Sequence, residues 1–242
     1  MKAAILISGH ARSFKRCLPN LHWFVFRHFP GADFFVSTVK DEDSPDFDLL
    51  RAKYPASRVV IDAVAEQPQI PLPAGCPAEW LAGKPYTHEP YAISVPPQAV
   101  LAQLWQLNEC WKLFQGTRTD DYDVVIRCRP DLWFHAAQPA PHVFSRDAYV
   151  PNWGQFGGCN DRFAILGWAA ASHYFQTFEK IDRLWANGCP IHPESLVAAS
   201  LEDGACSVQP LAKCEFSTLR KTGEMRAPEI IIADLLHAAA GS

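Results

Sequence analysis

The chain has 242 residues, 48% of them hydrophobic and 20% charged, which is enough for one sizeable core and hardly enough for two. Its 22 Lys and Arg against 26 Asp and Glu give a formal net charge of −4, so the basic face typical of nucleic-acid-binding proteins is not expected. An aromatic content of 12% excludes a disordered chain. We therefore predict a single domain over residues 1–242, with no nucleic-acid partner.

The eight cysteines contain no Cys-x-x-Cys pair, which argues against a zinc ribbon and a thioredoxin-type redox motif. Several lie in apolar runs, where a free thiol packs as a small hydrophobe, and disulfides are the less favoured alternative. The first apolar run ends at Ser8-Gly9, too early for a signal peptide, and no stretch reaches the roughly 18 apolar residues of a membrane span. These features predict a cytoplasmic protein.

The first part of the chain alternates strand and helix patterns. Strands are predicted at Ala3–Ser8, Asp33–Val39 and Ser57–Ile61, with helices at Pro19–Phe29 and Phe47–Tyr54 between them. A β-α-β-α-β order implies parallel strands with helices on the sheet faces. The predicted fold class is α/β, a single layered domain with a mainly parallel central sheet flanked by helices.

A proline-rich stretch interrupts this alternation at about residues 62–95. Its six prolines forbid a long helix or a central strand, so we predict a surface excursion without regular structure of its own. Trp80, Tyr86, His88 and Tyr91 within it either close over a ligand or pack the loop on the domain, and the sequence leaves both alternatives open.

The rest of the chain returns to regular patterns. Three helices are predicted, at Pro96–Phe114, Ala169–Trp185 and Pro193–Glu202. Four strands are predicted, at Asp123–Arg127, Ala148–Pro151, Arg162–Leu166 and, as the last strand of the chain, Ser207–Leu211.

The first group of polar residues follows the first predicted strand. Gly9 lets a ligand approach the backbone beside Ser8, and Arg12 can bind a phosphate through two parallel N–H groups. In the alternative, Gly9 only forms the turn and Arg12 pairs with a surface acid. The position directly after a buried strand favours binding.

The second group, Arg127-Cys128-Arg129-Pro130-Asp131, follows a later buried strand. Alternate residues of a strand share a face, so Arg127 and Arg129 are expected to point the same way, toward a diphosphate. Asp131 could bind a metal or a sugar hydroxyl. The alternative is a structural cluster in which Asp131 is the ion-pair partner of the arginines.

The third group consists of Gly157, Gly158, Asn160 and Asp161, directly before a predicted strand. Two glycines allow a sugar to come close to the backbone, Asn160 could orient a hydroxyl, and Asp161 could act as a general base. Asn and Asp also form turns through their own side chains, which is the alternative.

The fourth group, His192-Pro193-Glu194, opens a predicted helix. Glu194 is the second candidate for the general base, although an acidic residue in the first turn is favoured by the helix dipole even in an inert helix. His192 could ligate a metal, but it is more often an ordinary polar residue.

The order of these segments resembles small glycosyltransferases of the GT-A type found in surface-polysaccharide (lipopolysaccharide and capsule) gene clusters. The resemblance is carried by Ile5–Phe14, Asp33–Thr38, Asp123–Arg127, Arg129–Leu132, Asn160–Ile165 and Pro193-Glu194. It implies a Rossmann-like layered fold and a nucleotide-sugar donor bound at the strand ends. It also implies transfer to a hydroxyl of a glycan or lipid-linked acceptor, with peripheral contact at the inner face of the membrane.

The resemblance implies donor binding by Ser8, Gly9 and Arg12 on one side and by Arg127, Arg129 and Asp131 on the other. GT-A enzymes usually hold Mn²⁺ or Mg²⁺ with an Asp-x-Asp pair, whereas Asp131 is here a single acid beside two cations. Arginines can stabilise a leaving diphosphate in place of the ion, which predicts activity without a metal.

Two other functions remain open from the sequence. A sugar nucleotidyltransferase shares the layered fold, but it would usually carry a richer glycine-rich, basic N-terminal loop than Gly9–Arg12. A non-catalytic glycan-binding module would stack its aromatic residues on sugar rings and would need no clustered arginines at a strand end.

Overall fold

The computed structural model describes residues 1–77, 86–88, 91–137, 142–211 and 213–226, with the backbone alone for 86–88 and 91–95. Within these ranges the strands are β1 (Ala3–Ser8), β2 (Asp33–Val39), β3 (Val59–Val64), β4 (Tyr86–His88), β5 (Tyr91–Val95), β6 (Val124–Cys128), β7 (Leu132–Ala136), β8 (Asp147–Pro151), β9 (Phe163–Leu166), β10 (Ser207–Leu211), β11 (Glu215–Leu219) and β12 (Met225–Arg226). The α-helices are α1 (Phe14–Phe24), α2 (Leu49–Lys53), α3 (Pro97–Thr117), α4 (Trp168–Phe175), α5 (Ile181–Ala186) and α6 (Pro193–Asp203).

The central sheet has seven strands in the order β10-β8-β9-β6-β1-β2-β3. Every neighbouring pair is parallel except the two that involve β9, so six strands run one way and β9 runs against them. Helices cover both faces of this sheet, and a buried core lies on each side of it. The prediction of an α/β fold with a mainly parallel central sheet is confirmed.

Strand β1 is buried along its whole length because both faces of the sheet are covered. Alternate side chains point to opposite faces, so Ile5 and Ile7 enter the core beneath α1, whereas Ala4 and Leu6 enter the core beneath α3. Such a strand leaves only its ends for polar residues. Its carboxyl end, at Ser8, is where the polar sequence begins.

A smaller sheet, in the order β12-β11-β7, is antiparallel and packs beside α1. It adds two strands after β10, which was therefore wrongly predicted to be the last one. Phe216 and Leu219 of β11 are buried and Thr218 pairs with Leu132 of β7, so β11 is stabilised by partners distant in sequence.

Helix α1 begins at Phe14 rather than at the predicted Pro19, and Pro19 lies inside it. Phe14, Cys17, Leu18 and Leu21 are buried at helical spacing. Their packing outweighs the backbone hydrogen bond that a proline removes from a helix. A short 3-10 helix, Phe26–His28, continues where an α-helix to Phe29 was expected.

The predicted long helix over 169–185 is broken into α4, a 3-10 segment at Gln176–Lys180, and α5. At the break, the hydroxyl of the buried Thr177 donates to the carbonyl of Tyr174 at 2.9 Å. Such bonds from a Thr side chain to the preceding turn compete with regular helix and bend it.

The stretch predicted to lack regular structure is partly ordered into strands. β3 extends to Val64, and β4 and β5 form an antiparallel two-stranded sheet separate from the central one. As expected for a proline-rich stretch, it supplies no central strand: β3 is at the edge of the large sheet, and β4 and β5 lie outside it. Trp80 and the side chains of Tyr86, His88 and Tyr91 lie outside the described residues.

The eight cysteines are all free thiols, as the sequence favoured. Burial raises the pKa of Cys17, Cys110 and Cys128 to about 12, so these thiols pack as uncharged core groups. Over the parts of the chain that the structure describes, no helix combines the length and apolar character needed to cross a membrane.

Candidate active site

The polar groups that the sequence singles out meet at one edge of the central sheet. β1 and β6 are parallel neighbours, so the residues after Ser8 and after Cys128 lie side by side. β9 runs the opposite way, with Phe163 beside Cys128, so the residues before β9 reach the same edge. The carboxyl edge of a parallel sheet is the usual position of a ligand site in α/β proteins.

A cleft of about 450 Å³ opens at this edge. All six residues predicted for the donor site line it, namely Ser8, Gly9, Arg12, Arg127, Arg129 and Asp131. The structure thus brings together two groups that lie more than a hundred residues apart in sequence, while their contacts with a ligand remain a prediction.

Gly9 and Arg12 lie in the loop after β1 and line the cleft. Gly9 has a φ of +134°, and a Cβ there would come within 3.2 Å of the Pro130 ring, so the glycine also allows the two strand ends to pack closely. Arg12 has a φ of +35°, a left-handed backbone conformation that residues other than glycine rarely adopt. The exposed Arg12 side chain is presented to the cleft by this conformation.

Arg127 is fully buried and holds the strand ends together. Its Nη1 donates to the carbonyl oxygens of Ser8 at 3.2 Å and Cys128 at 3.0 Å, and its Nε donates to that of Asp161 at 3.4 Å. Burial lowers its pKa below the usual arginine value. Arg127 therefore borders the cleft while its guanidinium is occupied by main-chain oxygens.

Arg129 and Asp131 form a bidentate ion pair. Nε and Nη2 of Arg129 donate to the two carboxylate oxygens of Asp131 at 3.0 and 2.9 Å. Burial opposes the charged form of Asp131, but the charge and hydrogen bonds of Arg129 outweigh it and lower the pKa of this carboxyl. The Arg129 side chain is 22% exposed, and its Nη1 has no hydrogen-bond partner among the described residues.

These contacts do not fit a metal site at Asp131. Both carboxylate oxygens already accept hydrogen bonds from a cation, and a metal ion would have to displace that cation. No cluster of three or more His, Cys, Asp or Glu side chains suited to holding a metal occurs in the described ranges. The pair instead matches the structural alternative that the sequence left open for Asp131.

Further residues that sequence reasoning missed line the cleft. One face of α3 contributes Ala99, Ala102, Gln103 and Gln106, which recur at the i, i+3, i+4, i+7 spacing of one helical stripe. The spacing is present in the sequence, but no neighbouring residue indicates that this stripe of small and polar side chains faces the strand ends. Arg220, beyond β11, also lines the cleft and gave no sequence signal.

Asp161 lies behind the wall of the cleft. Its carboxylate accepts a hydrogen bond from the amide of Gln103, and the side chain is 3% exposed. Gln103 itself lines the cleft, so one side chain separates Asp161 from the open volume. The predicted base is thus adjacent to the cleft and covered.

Asn160 and Gly158 have structural roles, and the role of Asn160 includes the side-chain turn that the sequence left open as the alternative. Asn160 is fully buried, with its Nδ2 donating to the Trp153 carbonyl at 3.1 Å and its Oδ1 accepting from the Arg162 N–H at 3.0 Å. A Cβ on Gly158 would overlap the carbonyl oxygen of Glu194. The loop therefore packs against α6, and neither residue supports the predicted contact with a sugar.

Glu194, the second candidate base, is buried between two cationic or polar neighbours. Its Oε1 lies 3.7 Å from Nη2 of Arg162 and its Oε2 lies 3.4 Å from Nε2 of His192. His192 also lies 3.3 Å from the hydroxyl of Ser195. Arg162 also lies 3.9 Å from Oδ1 of Asp161, so Glu194 and Asp161 belong to one network.

The conformation of Arg12 leads to a test that separates backbone strain from side-chain charge. A left-handed residue with a Cβ costs roughly 1–2 kcal/mol, so Arg12→Gly should be more stable than Arg12→Ala by about 1 kcal/mol. Urea unfolding of both variants measures the difference. Equal stabilities would mean that the loop does not hold Arg12 in this conformation.

The sequence matches no curated protein. Among solved structures it is similar to the galactosyltransferase LgtC in complex with donor and acceptor sugar analogues, at 11% identity and a TM-score of 0.42 over 86% of this chain and 72% of that one. An active-site mutant of LgtC is similar at 11% identity and a TM-score of 0.36, over 86% and 71% of the two chains.

One family model covers most of the chain. The model of a domain of unknown function, DUF7796, matches residues 1–201, which include every strand of the central sheet except β10. The chain belongs to the DUF7796 family.

Proposed function

We propose that this protein is a glycosyltransferase that moves a sugar from a nucleoside-diphosphate-sugar donor to a hydroxyl of a glycan or lipid-linked acceptor. The observation that carries the proposal is the charge of the cleft at the strand ends. Where the structure describes the lining, it contains four arginines and one carboxylate, and that carboxylate is already paired. An anionic ligand with several phosphate oxygens suits such a lining.

The donor would place its diphosphate against the arginines. Asp131 occupies the Nε edge of Arg129, which leaves the Nη1 edge for phosphate oxygens. Arg12 approaches from the loop after β1. The stripe of Ala99 and Ala102 on α3 leaves room for a flat group, and the amides of Gln103 and Gln106 offer hydrogen bonds to it.

In the reaction, the acceptor oxygen bonds to the anomeric carbon while the bond from that carbon to the terminal phosphate oxygen breaks. The nucleoside diphosphate leaves with one more negative charge, and fixed guanidinium groups stabilise it without reorganisation. The proton of the acceptor hydroxyl passes to a general base. Whether one or two displacements occur decides between inversion and retention.

Asp161 is the base that the geometry favours over Glu194. Gln103, which lines the cleft, donates to the Asp161 carboxylate, whereas Glu194 lies beside His192. Arg162 is near both carboxylates, at 3.9 Å from Asp161 and 3.7 Å from Glu194, and does not distinguish them. For an acceptor hydroxyl to donate to Asp161, the Gln103 amide must release the oxygen to which it now donates. Hydrogen bonds of a catalytic base often form fully only in the complex with substrate.

The setting of the reaction is part of the same proposal. The resemblance to enzymes of surface-polysaccharide gene clusters suggests a growing saccharide as the acceptor. A lipid-linked acceptor would require peripheral contact with the inner face of the membrane.

The function is tested by incubating the protein with a panel of UDP-, GDP- and dTDP-sugars and oligosaccharide acceptors, in EDTA and in Mn²⁺. We expect acceptor-dependent release of a nucleoside diphosphate that persists in EDTA, because Asp131 is committed to Arg129. If this activity is lost in EDTA and recovered in Mn²⁺, the expected metal independence is wrong but the proposed transfer reaction still stands.

The same panel separates the alternative functions. Release of pyrophosphate from a nucleoside triphosphate and a sugar phosphate would identify a nucleotidyltransferase. Binding of oligosaccharide with no turnover of any donor would identify a glycan-binding module, and either result would contradict the proposed transfer reaction.

A second prediction concerns Arg129. Removing it alone would leave the buried Asp131 carboxylate unpaired, at a cost of about 3–5 kcal/mol, so the test uses Arg129→Gln together with Asp131→Asn. We expect this double variant to weaken nucleoside-diphosphate binding by about 10-fold to 100-fold, since hydrogen bonds to charged groups contribute about 1.5–3 kcal/mol. Titration calorimetry measures the affinity.

Two controls accompany the double variant. Asp131→Asn alone keeps the cation and should keep most of the affinity. Arg129→Lys should retain only part of the wild-type affinity, because an ammonium lacks the planar edge that binds two oxygens. Unchanged affinity of the double variant would remove Arg129 from the donor site.

A third prediction concerns the chemical step. Asp161→Asn keeps the shape and the Gln103 contact but removes the base, so turnover should fall by about 10²–10⁴-fold with donor affinity unchanged. Glu194→Gln is the matched control and should lower turnover much less. If Glu194→Gln abolishes turnover and Asp161→Asn does not, the two roles are reversed.

A further inference from the structure

Of the described residues that line the cleft, Arg220 lies furthest along the chain. It follows β11, outside residues 1–201 that the family model matches, and it lines the cleft together with Arg12 and Arg129. Neither the family match nor any motif points to it. Its position therefore has to be explained by the fold.

Two hydrogen bonds fix the main chain directly before Arg220. The N–H of Leu219 donates to the carbonyl oxygen of Asp131 at 2.8 Å. The hydroxyl of Ser13 donates to the carbonyl oxygen of Leu219 at 2.6 Å. One residue is thus bonded both to the loop after β6 and to the loop after β1, the two loops that supply Arg129 and Arg12.

The turn that carries Arg220 is closed by its own main chain. The N–H of Arg220 donates to the carbonyl of Glu224 at 2.8 Å, and the N–H of Gly223 donates to the carbonyl of Arg220 at 2.9 Å. Gly223 has a φ of +89°, which favours glycine at this tight position. Because the backbone closes the turn, a change in the Arg220 side chain leaves these bonds in place.

We propose that Arg220 binds the phosphates of the donor, so that the turn between β11 and β12 is part of the donor site. The inference rests on the proposed function. A diphosphate presents two anionic groups, and several guanidinium groups around one cleft suit such a ligand. Arg12 and Arg220 place two such groups on the cleft, from different loops.

The neighbouring Lys221 provides a matched control. Its Nζ pairs with Asp43 at 2.9 Å and with Glu42, on the loop after β2, and it is not one of the described residues that line the cleft. Lys221 and Arg220 therefore carry the same charge in the same turn, but only Arg220 lines the cleft. A general effect of charge on the turn would appear in variants of both residues.

The experiment is titration calorimetry of the full chain with UDP, GDP and inorganic pyrophosphate. We expect Arg220→Ala to weaken binding of the diphosphates by about 10-fold or more and Arg220→Lys to restore it only in part. Lys221→Ala should change affinity by less than about 2-fold, since an exposed ion pair contributes little. Thermal unfolding of each variant checks that the turn is intact.

The outcomes separate this inference from the function on which it rests. If the wild type binds a diphosphate and Arg220→Ala binds it equally well, Arg220 is not in the site. An equal loss in Lys221→Ala would also overturn the assignment. Binding of pyrophosphate that depends on Arg220, without binding of either nucleotide, would keep the anion site and contradict the proposed donor. Absence of binding to all three probes would overturn both.

Discussion

The buried guanidinium of Arg127 is the interaction on which the site depends. It joins the carbonyl oxygens of Ser8, Cys128 and Asp161, which belong to the ends of β1 and β6 and to the loop before β9. Carbonyl oxygens at the ends of buried strands need donors, because an unpaired buried acceptor costs about 1–3 kcal/mol. One side chain meets that need for three segments and thereby fixes the edge of the sheet from which the cleft is built.

The burial of Arg127 also decides which arginines can bind a ligand. A guanidinium removed from water loses solvation, which lowers the pKa of Arg127, and hydrogen bonds to main-chain oxygens compensate for part of that loss. Its charge remains beside the cleft and adds to the positive potential there. In the proposed donor site, direct contacts with the ligand are then left to Arg129 and to residues on the loops, whose side chains are less buried.

The sequence predicted the parts of the site that follow directly from strand ends. An apolar run that stops at Ser8-Gly9, and another that stops at Arg127, identify two strands and their polar ends, and parallel pairing places those ends together. Strand boundaries at Ala3–Ser8 and Asp33–Val39 agree with the structure. Local patterns suffice here because each strand is buried on both faces.

The parts that could not be predicted depend on contacts between distant segments. Gly158 was interpreted as room for a sugar, but the backbone of α6 occupies that space. Asn160 was interpreted as a substrate contact, but its amide holds the loop through Trp153 and Arg162. Arg220 enters the cleft only because β11 pairs with β7. The contacts with α6, with the Trp153 carbonyl and with β7 cannot be deduced from spacing within a segment, whereas the bond between Asn160 and the Arg162 N–H is a local turn that the sequence offered as the alternative.

The pair of Arg129 and Asp131 gives one carboxylate a role in the proposed donor site in which it holds an arginine rather than a metal ion. Asp131 holds the Nε edge of the guanidinium and so fixes the orientation of the opposite edge. A cation oriented in advance loses less conformational freedom on binding and needs no reorganisation as charge develops on a leaving group. In the proposed site Asp131 therefore acts through the arginine that it orients, and it needs no contact of its own with the donor.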